Sequence, residues 1–201
     1  MRAAVTIDGR RELEADLDAV DDGDAVVVAC PPHPMYGGSR TDRRLRAACA
    51  GLTGIGVDCL RIDYGPWDGG PGERDDVVDA LVWAAERYGR VGLFGYSFGA
   101  TMAILVGASV GIDLVGVSVL APSVRVAADA DLDVVAALRA LPCDAQVLYG
   151  ERDQTVNWTP IVEAAEARGC DVVAIAGDHF FVGQDEAIAE AVATFFERCV
   201  T

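Results

Sequence analysis

The sequence contains no lysine, and its 16 basic residues, all arginine, stand against 32 aspartates and glutamates. The formal net charge at pH 7 is therefore −16. Because contacts to phosphates need clusters of basic side chains, this balance excludes nucleic acids and anionic membranes as partners. Repulsion among so many carboxylates also opposes compaction in dilute buffer, and added salt screens it.

Long apolar runs are also missing, although 52% of the residues are hydrophobic. No run approaches the roughly 18 consecutive apolar residues expected of a membrane-spanning helix. The first nine residues turn polar too soon to contain the apolar core of a signal peptide. We therefore expect a cytoplasmic protein that does not enter a membrane.

Cysteine and histidine patterns exclude further classes of site. The six cysteines form no CxxC pair and no zinc-like spacing, so we expect reduced, mostly buried thiols and no metal site. Only two histidines occur, His33 and His179, so any chemistry that needs an imidazole must use one of them. The sequence also lacks a glycine-rich dinucleotide motif after the first parallel strand and a phosphate-binding P-loop. No cofactor is expected.

Short apolar runs alternate with helical segments, which is the pattern of a mostly parallel sheet covered by helices on both faces. An Asp8-Gly9 turn makes the first two strands an antiparallel hairpin. The predicted strands are residues 2–7, 11–18, 25–30, 57–63, 91–94, 114–120, 146–149 and 171–175, and the predicted helices are about 41–53, 73–88, 98–109, 131–140, 159–168 and 184–199. The sequence thus predicts one α/β domain over residues 1–201, with a sheet of about eight strands. Residues 121–145 leave room for one helix, so no large lid is expected.

One motif points to chemistry. Gly95-Tyr96-Ser97-Phe98-Gly99 directly follows the fifth predicted strand and opens a predicted helix. Gly-x-Ser-x-Gly at such a junction places the serine on a strained turn that exposes its hydroxyl, and side chains on the flanking glycines would collide with neighbouring backbone. The first N–H groups of the helix point at the same place. Ser97 is therefore the candidate nucleophile.

An acid and a histidine follow two later strands. Asp153 comes shortly after the seventh predicted strand, and His179 lies in the loop after the eighth. Functional groups gather at the carboxyl ends of parallel strands, and the chain order Ser97, Asp153, His179 is the order used by hydrolases with this serine motif. Asp178 is a competing acid, but neighbouring side chains in an extended loop point apart, so it is poorly placed to orient His179.

These motifs, together with His33-Pro34-Met35-Tyr36-Gly37-Gly38, make the sequence similar to the α/β-hydrolases over essentially the whole chain. Within them it resembles the small, lidless esterases related to dienelactone hydrolase. The resemblance implies an α/β-hydrolase fold and a hydrolytic reaction. Dienelactone hydrolases proper use a cysteine nucleophile, whereas this chain has Ser97, so the resemblance does not extend to a dienelactone substrate.

The resemblance also implies the roles of the site residues. His179 would accept the Ser97 proton and pass it to the leaving group, while Asp153 would hold the imidazole. The oxyanion hole would use the Phe98 amide and, by matching His33-Pro34 to the His-Gly pair of the family, the Met35 amide, with Tyr36 as the alternative. Proline has no N–H, so Pro34 cannot serve.

We therefore expect a serine hydrolase of small ester or thioester substrates that forms an acyl-enzyme. An acyltransferase or amidase with the same catalytic residues is one alternative, and a non-catalytic binding module with this fold is another. The acidic, lysine-free composition resembles that of proteins from extreme halophiles; an arginine-rich protein from a GC-rich genome is the other interpretation. The sequence leaves the oligomeric state open.

Overall fold

The computed structural model describes residues 1–21, 23–124 and 132–201. Its strands are β1 (Arg2–Asp8), β2 (Glu12–Asp18), β3 (Ala25–Cys30), β4 (Asp58–Ile62), β5 (Arg90–Tyr96), β6 (Leu114–Leu120), β7 (Ala145–Gly150) and β8 (Asp171–Ile175). Its helices are α1 (Arg43–Gly54), α2 (Pro71–Ala85), α3 (Phe98–Gly107), α4 (Val134–Ala140), α5 (Thr159–Arg168) and α6 (Asp185–Cys199).

The eight strands form one sheet in the order β1-β2-β4-β3-β5-β6-β7-β8. β1 and β2 pair antiparallel, β2 pairs antiparallel with β4, and the strands from β4 to β8 run parallel. The predicted fold class is therefore confirmed, including the hairpin at the amino end. β5 lies in the middle of the parallel part, so the turn at its carboxyl end sits over the centre of the sheet.

Helices cover both faces of this sheet and divide the core in two. One hydrophobic cluster lies between the sheet and α2, α3, α4 and α5, and the other lies under α1 and α6. Every residue of β3 is buried, which explains why its valines run consecutively instead of alternating with polar residues. α6 instead buries one stripe, formed by Ile188, Val192, Phe195 and Phe196.

The predicted element bounds differ from the observed ones mainly at the ends. β3, β6, β8 and α5 match their predicted spans, while β5 runs on to Tyr96 and so leads directly into Ser97. α2 begins at Pro71, because proline is well suited to the first turn of a helix, where its missing N–H costs nothing. The observed α4 begins at Val134; residue 131, where a helix was predicted to begin, lies outside the described residues.

Two further features concern the cysteines and the membrane. The expectation of reduced cysteines is wrong for one pair, because Cys49 on α1 and Cys59 on β4 form a disulfide with their Cα atoms 5.4 Å apart. The sequence does not predict this pair, because the helix and the strand that carry the two cysteines come into contact only when the chain folds. Within the described ranges, no helix has the length and apolar character needed to cross a membrane.

Candidate active site

Ser97 occupies the sharp turn between β5 and α3. Its φ of 56° lies in the left-handed region, which costs a non-glycine residue roughly 1–2 kcal/mol. The flanking glycines make the turn possible. A Cβ on Gly95 would lie 2.7 Å from the Ala100 nitrogen, and one on Gly99 would lie 2.7 Å from the Cys30 carbonyl carbon. The collisions predicted from the motif are therefore present, and the serine is held at the carboxyl edge of the sheet.

His179 and Asp153 lie beside this serine. The Ser97 Oγ is 3.0 Å from His179 Nε2, and His179 Nδ1 is 2.7 Å from Asp153 Oδ2. Both partners of the second contact are buried, with 6% and 7% of their surface exposed. If Nδ1 carries the proton toward the carboxylate, Nε2 is left as the acceptor that faces the serine hydroxyl. The structure thus brings together the three residues predicted from the sequence.

The loop after β7 fixes the orientation of the Asp153 carboxylate. Asp153 Oδ1 accepts the backbone N–H groups of Thr155 at 2.8 Å and Val156 at 3.3 Å. Trp158 Nε1 donates to the Asp153 carbonyl oxygen at 3.2 Å, which anchors the backbone of the same residue. One carboxylate oxygen is therefore used to hold the loop, and the other is left for His179.

Asp178, the competing acid, has a different task. Its Oδ1 accepts the Phe180 N–H at 3.0 Å and so closes a turn beside His179. Among the described contacts of the His179 ring, the carboxylate partner is Asp153. The geometry agrees with the expectation that neighbouring side chains in this loop point apart.

The loop that carries His179 is tied to the serine strand by a residue that sequence analysis missed. Tyr96, the residue before Ser97, donates its hydroxyl to the His179 carbonyl oxygen at 2.8 Å. Burial raises the pKa of Tyr96 to about 12, with the Arg44 guanidinium stacked on its ring acting in the opposite direction. The phenol therefore stays protonated and remains a donor at neutral pH. No pattern in the sequence indicates this link, since 83 residues separate its partners.

The loop after β3 forms the opposite wall. His33 caps a 3-10 turn at Pro34–Tyr36, and its Nδ1 accepts the Met35 N–H at 3.2 Å. Burial lowers the pKa of His33, although Glu73 opposes the shift, and the neutral imidazole is the form that can accept this bond. The Tyr36 N–H donates to the His33 carbonyl oxygen at 3.0 Å.

This turn disfavours the predicted first oxyanion donor. The amides of Met35 and of its alternative, Tyr36, are both used inside the turn, because a capped 3-10 turn satisfies its own N–H groups. Within residues 1–21, 23–124 and 132–201, the backbone N–H groups of His33 and Phe98 have no intramolecular acceptor. Phe98 opens α3 as predicted, and the His33 amide, unlike those of Met35 and Tyr36, is not used inside the turn.

A cavity of about 480 Å³ connects these groups, lined by Ser97, His179, Phe98, Tyr36 and Phe180 among others. Three aromatic residues, Tyr64, Trp67 and Trp158, are not among the residues that line this cavity. Tyr64 and Trp67 pack edge-on against Phe98, at ring distances of 5.6 and 5.7 Å, and Trp158 stacks on Tyr149 at 4.4 Å. A larger depression of about 690 Å³, between the amino end and α1, holds none of the three predicted catalytic residues.

Comparison with known proteins gives a clear result for the fold. No protein-family model and no curated protein matches the sequence. Among solved structures, Est1E from Butyrivibrio proteoclasticus with ferulic acid bound is 17% identical, with a TM-score of 0.86 over 98% of this chain and 99% of that one. An esterase from Pyrococcus furiosus is 16% identical, with a TM-score of 0.84 over 100% and 91% of the two chains.

A lidless α/β serine hydrolase from Xanthomonas campestris is 22% identical, with a TM-score of 0.81 over 98% of this chain and 94% of that one. Likeness at these identities establishes the fold alone. It does not establish the function, because one fold hosts many functions. The chain therefore has the α/β-hydrolase fold, with no large lid in the part of it that the structure describes, and these structural neighbours are serine hydrolases and esterases.

Proposed function

We propose that this protein is a serine hydrolase that cleaves small esters or thioesters through an acyl-enzyme on Ser97. The observation that carries the proposal is the chain of contacts from Ser97 Oγ to His179 Nε2 at 3.0 Å and from His179 Nδ1 to Asp153 Oδ2 at 2.7 Å. A nucleophile, a base and a group that orients the base, each within hydrogen-bond reach of the next, is the arrangement that activates a serine hydroxyl.

In the first half of the reaction, Ser97 Oγ attacks the substrate carbonyl carbon while His179 Nε2 accepts the hydroxyl proton. The carbonyl oxygen becomes an anion, and the amides of Phe98 and His33 are the donors we assign to it. Each such donor is worth roughly 3 kcal/mol to the transition state. The intermediate then expels the alcohol or thiol, which takes the proton from His179, and the acyl group remains on Ser97.

In the second half, water takes the place of the leaving group. His179 accepts a proton from the water as its oxygen attacks the acyl carbon, and it returns that proton to Ser97 Oγ when the acid departs. Asp153 stabilises the imidazolium that forms in each half without itself taking a proton. The cavity of about 480 Å³ is of the size that suits a small substrate.

The test is a panel of ester, thioester and amide substrates with acyl chains of two to eight carbons, run in molar potassium chloride. We expect ester or thioester turnover by the wild type and a loss of at least about 1,000-fold in Ser97→Ala. Ser109→Ala is the matched control, because Ser109 lies on the surface just after α3 and its hydroxyl donates to the Leu105 carbonyl, outside the cavity. Its activity should match the wild type.

Each other outcome has a definite meaning. Turnover that survives in Ser97→Ala would remove Ser97 as the nucleophile. Amide cleavage faster than ester cleavage, or products that appear only when a second alcohol or amine is added, would favour the amidase or acyltransferase alternatives. No turnover of any substrate, together with no covalent labelling of Ser97, would favour a binding module. We further propose a single domain, because 201 residues without a linker segment suit one domain, and a cytoplasmic, salt-adapted protein, on the strength of the composition.

A further inference from the structure

Exposed apolar side chains concentrate around the mouth of the cavity. Of the six large hydrophobic residues that are exposed among the described residues, four lie on the two loops that face each other across Ser97. These four, here called the apolar rim, are Met35 at 63%, Tyr36 at 89%, Phe180 at 55% and Val182 at 73% exposure. Single exposed apolar residues are ordinary, but a group of them beside a site marks a surface that binds something.

Both loops hold their rim residues in fixed positions. The turn with Met35 and Tyr36 is closed by the His33 cap at one end and by Gly37 in the left-handed conformation, at a φ of 81°, at the other. On the opposite loop, Phe181 is fully buried with a φ of 48°, and its burial leaves the flanking Phe180 and Val182 turned outward.

Two of the rim residues are aromatic and also line the cavity with Ser97 and His179. The Tyr36 ring lies 4.9 Å from the His33 ring, and the Phe180 ring lies edge-on to the His179 ring at 5.7 Å. The rings therefore flank the reacting groups from opposite loops. A third ring from a ligand could pack against either of them, and such contacts favour aromatic over saturated groups of similar size.

We propose that the substrate carries an aromatic ring, which binds between Tyr36 and Phe180 at the mouth of the cavity. The inference rests on the proposed function, which places the ester at Ser97. It adds that the group attached to this ester is aromatic. Continuity of the rim with the cavity favours a substrate over a separate partner. The net charge of −16 argues against the other common occupant of an apolar surface, an anionic membrane.

The test uses pairs of esters that differ only in the saturation of one ring. Methyl 3-phenylpropanoate is compared with methyl 3-cyclohexylpropanoate on the acyl side, and 2-phenylethyl acetate with 2-cyclohexylethyl acetate on the alcohol side. Two methylenes insulate the carbonyl from the ring, so the reactivity of each pair is matched. We expect kcat/KM of the wild type to favour the aromatic member of at least one pair by roughly 3- to 10-fold.

Tyr36→Leu and Phe180→Leu keep an apolar side chain but remove the ring. Each should lower the ratio of kcat/KM for the aromatic ester to kcat/KM for the saturated ester toward a value of 1. Trp83→Leu is the matched control, because Trp83 lies on α2 with its ring against Arg87, outside the cavity. It should keep the wild-type preference. Hydrolysis with no aromatic preference in the wild type, or a preference unchanged in both rim variants, would overturn the inference while leaving the proposed function intact.

A second readout separates the two proposals further. Ser97→Ala is titrated with the same ester pairs and binding is followed by NMR, with and without Tyr36→Leu. Tighter binding of the aromatic ester that depends on Tyr36 would support the ring site even if the wild type hydrolyses nothing. Equal binding of both members would count against it. Two other results would show that something other than a substrate covers the apolar rim, and either would overturn the inference. One is a wild-type dimer that dissociates in Tyr36→Leu, and the other is binding of neutral vesicles through the rim.

Discussion

Replacing Gly99 by alanine should disable the site without unfolding the protein. Gly99 is the second residue of α3, where alanine is normally the better helix former by about 1 kcal/mol. Here a Cβ would lie 2.7 Å from the Cys30 carbonyl carbon and still closer to the carbonyl oxygens of Cys30 and Pro31. The backbone that it meets is the last residue of β3 and the residue that follows it.

The structure gives the size of the effect. A relaxed carbon–carbon contact is about 3.5 Å, so the start of α3 and the carboxyl end of β3 must separate by at least about 0.8 Å. That movement displaces Ser97 and the Phe98 amide relative to the His33 amide. Misplacement of reacting groups by about 1 Å can cost 100-fold in rate, so we expect kcat to fall by roughly 10- to 100-fold. Overpacking of this kind costs about 1–3 kcal/mol, which exceeds the helical gain.

The assay compares kcat and the melting temperature of Gly99→Ala with those of Gly54→Ala. Gly54 ends α1, and a Cβ there would meet nothing within 4 Å. Gly54→Ala should therefore keep full activity and melt at the wild-type temperature or slightly above. If Gly99→Ala is as active as the wild type, the close approach of the two loops does not position the reacting groups, and the reasoning is refuted.

Three further predictions concern the hydrogen bond to the His179 loop, the His33 turn and the surface charge. Tyr96→Phe removes the donor to the His179 carbonyl, so kcat should fall about tenfold while KM stays nearly unchanged. The control is Tyr88→Phe, which loses a hydrogen bond to Asp58 outside the cavity and should keep wild-type kinetics. Equal kinetics in both variants would remove Tyr96 as a positioning residue. Burial lowers the pKa of His33 in the folded protein below its ordinary 6.5, so at mildly acidic pH the unfolded chain binds more protons at His33 than the folded protein does. The free energy of unfolding should therefore decrease as the pH falls from about 6.5 through the pKa of the folded state. His33→Asn should show a shallower loss between pH 7 and 5 in thermal melts; an identical slope would contradict the shift. The melting temperature should rise steeply between dilute and molar potassium chloride, and a flat response would contradict the salt-adapted interpretation.

Much of the fold was predictable because its signals are local. The parallel strands are short runs rich in valine, leucine and isoleucine, and β3, β6 and β8 match their predicted spans. Ser97, Asp153 and His179 each follow such a strand. Parallel strands present their carboxyl ends on one edge, so the meeting of the three residues follows from topology once the strands are known.

What escaped prediction depends on contacts between distant segments or on the exact shape of a loop. The Met35 amide was a reasonable oxyanion donor from the motif, but the His33 imidazole folds back onto it, a choice of rotamer that the sequence does not reveal. The bond from Tyr96 to the His179 carbonyl and the pairing of Cys49 with Cys59 form only when separate elements meet. Fine positioning in this site is therefore a property of tertiary structure.

The central claim is that the hydroxyl of Ser97 is activated by the imidazole of His179. Mass spectrometry of the intact protein after reaction with a fluorophosphonate tests it most directly, because only an activated serine is phosphonylated readily. The account predicts a single adduct that maps to the peptide containing Ser97, is absent in Ser97→Ala and forms at least about 100-fold more slowly in His179→Ala. An adduct elsewhere, no adduct in the folded wild type, or an unchanged rate in His179→Ala would contradict it.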